Sequence, residues 1–325
     1  MNRRTLLVLG MVAGAASAAT VAQETAVRIL PGVHVLAAPD ETPAVTVTWY
    51  GVTTLLFDDG DTQILVDGFV SRPRFEDLDS LAEPDMSRIN AMVGSGAFGR
   101  VAMITPVHSH FDHAMDVGAV AMATGATVVG SESTANIARG AGVDEARIVV
   151  VEERHRQQFG KFAVGLIRSA HAPLVNDGPP IPGTIDAPLT PPARIGDWKE
   201  GGSYTIVVEH PAGTALIQGS AGYVEGRLAG TPADVVYLGI GGLGSLGKDH
   251  AAAYFEEIVG PTGAQCVVPI HWDDFTLPFG EIAWRGSIYD VEWLHEFAAG
   301  QVPAPGLAML PFGEAVDAFR GCGPS

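Results

Sequence analysis

Lysine is nearly absent from this 325-residue chain, which has only Lys161, Lys199 and Lys248, and cysteine occurs only at Cys266 and Cys322. Lys and Arg together number 19 against 37 Asp and Glu, for a formal net charge of −18. A surface of that sign repels a phosphate backbone, so no nucleic-acid partner is expected. Two cysteines are too few for a disulfide-built scaffold, and their spacing is not that of a metal knuckle. A single bridge at the C-terminal end fits the count, but the expectation is a buried strand thiol at Cys266 and a loose one at Cys322.

The apolar stretch Thr5 to Ala15 falls short of the ~20 residues that a membrane span needs. It follows Arg3-Arg4 and precedes Ala16-Ser17-Ala18, the three-part layout of a cleaved export signal. Residues 1–18 are therefore expected to be a signal peptide and 19–325 one domain, periplasmic or secreted, with no stable membrane insertion once the signal is removed. Arg3-Arg4 also resembles a twin-arginine signal, which exports folded protein. With 47% hydrophobic and 17% charged residues, the body can bury a large core, which excludes a disordered or fibrous chain.

Runs rich in β-formers at Val45 to Trp49, Thr53 to Phe57 and Gln63 to Val66 predict an antiparallel start. From Val101 the pattern becomes short apolar strands alternating with helices, among them a strand Val101 to Val107, a helix from Asp112 to Thr124 and a helix from Ser133 to Arg139. Strands follow at Arg147 to Val151, Phe162 to Ile167, Tyr204 to Glu209, Thr214 to Gln218, Val235 to Ile240 and Cys266 to Ile270, with helices at Asp249 to Val259 and Tyr289 to Ala298. The sum is an α/β protein with two mixed sheets covered by helices. Ser71 to Arg100 and the proline-rich Ala172 to Gly202 escape the pattern, and irregular stretches of that length are usually functional. The second directly follows His171 and is expected to wall or cover a site.

The chemistry is concentrated in Thr105-Pro106-Val107-His108-Ser109-His110-Phe111-Asp112-His113, where a strand gives way to a helix, the place α/β sheets hold ligands. Residues two apart in an extended segment face one side, so His108 and His110 can present imidazoles to one cation. Asp112 and His113 are then aimed at an adjacent position. Imidazole with one carboxylate favours zinc, with iron or manganese also suited.

The spacing His108, His110, Asp112, His113 resembles the His-x-His-x-Asp-His metal signature of the metallo-β-lactamase superfamily, and the chain looks closest to its broad ascorbate-6-phosphate-lactonase-like branch. The resemblance implies a four-layer αββα sandwich with two metal ions in a cleft at one edge of the sheets. It implies that His108, His110 and His171 hold the first ion, and Asp112, His113 and His271 the second. The family usually places a bridging aspartate where this chain has Ser220, so whether one or two ions bind stays open. Asp67 is expected either to orient a ligand histidine or to serve as a turn residue. Trp49, Tyr50, Tyr223 and Trp272 are expected near the substrate.

The expected activity is hydrolysis of an acyl bond (ester, lactone or amide) in a small molecule by a metal-bound hydroxide, with Asp112 orienting it. Two alternatives stand beside it: a phosphodiesterase of the same fold, and an exported metal- or ligand-binding protein without turnover.

Overall fold

The computed structural model describes residues 33–38, 41–285, 289–301, 303–320 and 322. The signal peptide expected over residues 1–18 lies outside them. The strands in chain order are β1 (His34–Val35), β2 (Thr46–Trp49), β3 (Leu55–Asp58), β4 (Gln63–Val66), β5 (Leu81–Ala82), β6 (Val101–Thr105), β7 (Thr127–Gly130), β8 (Ile148–Val150) and β9 (Arg154–Phe159). They continue as β10 (Phe162–Arg168), β11 (Ala193–Arg194), β12 (Tyr204–His210), β13 (Gly213–Gln218), β14 (Val235–Gly239), β15 (Cys266–Ile270), β16 (Gly306–Met309) and β17 (Ala315–Asp317).

One sheet runs β17-β2-β3-β4-β6-β7-β8 and the other β1-β16-β15-β14-β13-β12-β10-β9. Each has an antiparallel part and a parallel part, changing at β4–β6 and at β13–β14. The period-two rule fixes which side faces which layer. Leu55, Phe57, Ile64, Val66 and Met103 point into the core between the sheets, where Ile206, Val208, Ile217 and Tyr237 also lie. The intervening Leu56, Leu65 and Ile104 point outward and pack beneath the helices Val117–Thr124 and Glu132–Gly140 through Val117, Val120, Ile137 and Ala138. The helix Lys248–Ile258 covers the second sheet with Tyr254, Phe255 and Ile258. The layers are helix, sheet, sheet, helix, as the motif resemblance implied.

Four features depart from the sequence expectations. Cys266 and Cys322 form a disulfide rather than remaining thiols, because β15 and the chain after β17 come together beside Gly306, a contact between segments 56 residues apart. The helix expected from Asp112 to Thr124 is two, Phe111–Ala114 and Val117–Thr124. The break falls at Asp116, whose carboxylate is engaged by Val70 and Ser71. Strand β9, Arg-His-Arg-Gln-Gln-Phe, has no buried residue; it lies at the sheet edge, held by its ladder to β10, by Phe159 against the core and by the Arg156–Glu209 ion pair. The short strands β1, β16 and β17 also lack a distinctive pattern, and join the sheets only through partners far away in sequence.

Candidate metal centre

Five strand ends supply the side chains gathered at one edge of the sandwich. Beyond β6 come His108 and His110, and the one-turn helix Phe111–Ala114 adds Asp112 and His113. His171 follows β10, His271 follows β15, Asp67 follows β4 and Ser220 follows β13. The donor atoms of His108, His110 and His171 all lie within 4.8 Å of one another, as do those of Asp112, His113 and His271. The two groups adjoin, with the His108 and His113 ring centroids 4.1 Å apart. All six residues singled out in the sequence are thus brought together, from three distant stretches of chain.

The partners on the far side of the rings set which nitrogen carries a lone pair. His110 Nε2 lies 3.2 Å from the Ile181 carbonyl, leaving Nδ1 turned toward His108 Nε2 at 2.9 Å. His171 Nδ1 donates to the Ala172 carbonyl at 2.8 Å, leaving Nε2 as its acceptor. His113 Nδ1 donates to Asp67 Oδ2 at 2.6 Å, while its Nε2 and that of His271 each lie 3.6 Å from Asp112 Oδ2. Asp67 therefore orients a histidine, and it does so from a fully buried position.

Burial keeps most of these rings neutral. It lowers His108 well below the ordinary histidine value, lowers His171, and pushes His110 and His271 down to about 4. At His113 burial is more than offset by the carboxylates of Asp67 and Asp112, and the pKa is raised. Burial acts to raise Asp112, but the charges of His113, His271 and His110 outweigh it and hold the carboxyl low. Neutral nitrogens converging on one point, and a carboxylate shared by two imidazoles, form a donor set that suits a borderline dication. His271 adopts φ +57°, in the left-handed region where non-glycine residues are uncommon.

Ser220, at the position where the resemblance implied a bridging ligand, is tied into the turn beside His171. Its Oγ accepts the Ala172 N–H at 3.0 Å, and the Gln218 amide donates to the Ser220 and Gly222 carbonyls at 3.0 and 2.8 Å. The turn presses against His171 so closely that a Cβ on Gly222 would lie 2.4 Å from the His171 carbonyl carbon and oxygen, so only glycine fits there. Ser220 supports the backbone beside His171.

The proline-rich segment does reach the site. Ile181 supplies the carbonyl facing His110, and Glu200 accepts the Ser109 N–H at 2.9 Å. Ile185 and Leu189 hold the segment to Ser133 and Asn136 on the neighbouring helix. Of the aromatics expected at the substrate, Trp49 and Trp272 are core residues packed on each other at 5.1 Å. Tyr50 packs among Phe98, Phe279 and Phe312. Tyr223 lies beside His250, whose Nε2 is 2.8 Å from the Ala221 carbonyl.

Sequence reasoning passed over Asp116, Arg72 and Asp273. Asp116 accepts Val70 N, Ser71 N and Ser71 Oγ, and so holds the loop after Asp67 against the histidine helix. Its spacing, three residues beyond His113, was the available signal. Arg72 and Asp273 form a buried ion pair of 2.9 Å beside His271, and no local pattern announces a pair 201 residues apart.

No protein-family model matches the chain. It is similar to UPF0173 metal-dependent hydrolases of Staphylococcus aureus. Those of strains bovine RF122 / ET3-1 and JH9 are each 26% identical over 231 residues, which is 71% of this chain and 86% of theirs. Among solved structures, a metallo hydrolase from the archaeon Ignicoccus hospitalis superposes with a TM-score of 0.50 at 14% identity, covering 84% of this chain and 97% of that one. CmlA, a diiron β-hydroxylase from Streptomyces venezuelae, superposes with a TM-score of 0.54 at 13% identity, over 85% of this chain and 55% of that one. The layered sheets, the paired triads at their edge and these likenesses agree: the chain has the metallo-β-lactamase fold and is similar to UPF0173 metal-dependent hydrolases.

Proposed function

We propose that this protein is a metal-dependent hydrolase that cuts an acyl bond in a small molecule, working outside the cytoplasm with zinc. The observation that carries the reading is the pair of adjoining triads, each with its donor atoms within 4.8 Å. The UPF0173 relatives support metal-dependent hydrolysis. A bound dication would supply Lewis acidity and a nucleophile at neutral pH.

The chain's own residues do the rest. His108, His110 and His171 would hold one ion, and Asp112, His113 and His271 the other. Asp67 fixes the His113 tautomer, as such partners of metal-binding histidines do. Asp112, with Oδ2 between two imidazoles, is placed to orient a water by hydrogen bonding. The Ile181 to Glu200 wall limits solvent on the side of the first triad.

An acyl substrate is favoured over a phosphodiester because the chain is acidic and lysine-poor, and because Arg72, the buried cation near the second triad, is already paired with Asp273. The Cys266–Cys322 disulfide supports an oxidising compartment. Among the described residues no helix is long and apolar enough to cross a membrane.

The test is metal analysis of purified protein, with turnover of esters, lactones, β-lactams and phosphodiesters measured before chelation, after it, and after zinc or iron is restored. Chelator-sensitive acyl hydrolysis is the expected result. Turnover confined to phosphodiesters would replace the substrate class, and bound metal with no turnover would favour the binding-protein alternative. Cell fractionation tests the compartment.

A further inference from the structure

We infer that Arg72 is a positioning residue for the second triad, acting through Asp273 on His271, and that the loop from Asp67 to Arg72 makes this triad a preformed cation site without a bridging carboxylate. The inference rests on the proposed binding of metal at the two triads.

The connections are continuous. Asp273 lies two residues after His271 with its carboxylate fully buried. Oδ1 accepts the Val52 N–H at 2.7 Å and Oδ2 accepts from Arg72 Nη2 at 2.9 Å. His271 N–H in turn donates to the Val52 carbonyl at 3.0 Å. Both polar groups of one peptide residue therefore clasp the His271–Asp273 turn, and Arg72 closes the clasp from the other side. Val52, Arg72 and His271 all take positive φ, at 50°, 49° and 57°, so each backbone is held in a conformation that its surroundings must impose. Gly51 makes room for the pair, because a Cβ there would lie 1.9 Å from Arg72 Nη2.

The same loop reaches the other histidine of this triad. Asp67 begins it and accepts from His113 Nδ1 at 2.6 Å. Asp116, at the end of the turn carrying Asp112 and His113, grips the loop's middle through Val70 N, Ser71 N and Ser71 Oγ at 2.8, 2.8 and 2.6 Å. One six-residue segment thus fixes His113 directly and His271 through an ion pair. None of these bonds touches His108, His110 or His171.

Stability is a poor reason to keep such a pair. A buried ion pair is often no better for stability than apolar residues of the same volume. Arg72 Nε also has no partner among the described residues, a further cost. The advantage lies where the pair acts, at His271. Ser220 provides no carboxylate to share between the ions, so the affinity of the second triad depends on how rigidly its own three donors are set.

The test is stepwise zinc binding to full-length, metal-free protein under chelator competition, with cobalt absorption spectra to separate a three-nitrogen site from a two-nitrogen, one-carboxylate site. Wild type is expected to take two ions. Arg72→Met is expected to lose roughly 10- to 100-fold in the affinity of the carboxylate-containing site, with the all-histidine site unchanged within about twofold. The double variant Arg72→Met, Asp273→Asn keeps the Val52 acceptor and removes the unpaired buried charge. It should fold like wild type by circular dichroism and retain the selective loss, which covers the case in which Arg72→Met alone does not fold. Equal weakening of both sites, unchanged binding in a folded variant, or a wild type that takes a single ion overturns the inference. Because binding is read directly, absence of hydrolysis would count against the proposed activity and leave this result standing.

Discussion

Replacing Asp67 by Asn removes one proton acceptor from a site where both carboxylate oxygens are used. Oδ1 takes the Val107 N–H at 2.9 Å and Oδ2 takes His113 Nδ1 at 2.6 Å, in a side chain with no solvent exposure. The asparagine oxygen can keep Val107, which turns the amide N–H₂ toward His113. The ring is then driven to carry its proton on Nε2, the atom that faces Asp112. To bind a cation, His113 must return to the other tautomer and set N–H against N–H in a buried place, at a cost of about 1–3 kcal/mol. Loss of a carboxylate partner behind a metal-binding histidine typically costs 10- to 100-fold in affinity, or roughly 1.4–2.8 kcal/mol, so the two routes agree. Asp67 adopts φ +59°, a conformation that Asn tolerates well, so backbone strain does not enter. The assay is zinc affinity by chelator competition, with the melting temperature of the metal-free protein as a check on folding. A folded Asp67→Asn protein whose second-ion affinity matches wild type would refute the tautomer argument.

Ser220→Asp should tighten the weaker zinc-binding step, since a carboxylate oxygen can still accept the Ala172 N–H and the added negative charge favours a dication; an unchanged affinity would show that this position does not limit binding. Reducing the Cys266–Cys322 bond, or replacing Cys322 by Ser, opens a 56-residue separation and should remove about 4 kcal/mol by loop entropy, read from urea melts with and without reductant. The metal-free protein should lose stability as pH falls from about 6.5 toward 4, because burial holds His110 and His271 at about 4 in the fold while the unfolded chain protonates them near 6.5 and so binds more protons across that window. Thermal melts across that range check the sign, and His271→Gln should flatten the slope.

The fold was legible wherever local pattern carries it. The apolar runs that became β13 to β15 are fully or mostly buried and stand out on composition alone. His108 to His113 announces itself because ligand spacing follows from strand and helix geometry. His171 and His271 were supplied by the family resemblance together with their places at strand ends. Strand β9 was illegible because an edge strand with one neighbour and no buried side chain has no apolar signature. Arg72 and Asp273 were illegible for a different reason, since their meaning lies in a meeting 201 residues apart. The free-thiol expectation at Cys266 and Cys322 failed because compartment and proximity, rather than residue type, determine pairing.

The small ladder between β5 and β11, pairing Leu81–Ala82 with Ala193–Arg194, joins the two irregular segments to each other rather than to either large sheet. The two irregular segments are consequently stitched into one body, and a change of shape in one is transmitted to its counterpart. An alteration in one of the two segments should therefore call for a matching alteration in the other, while the strands that carry the histidines stay as they are.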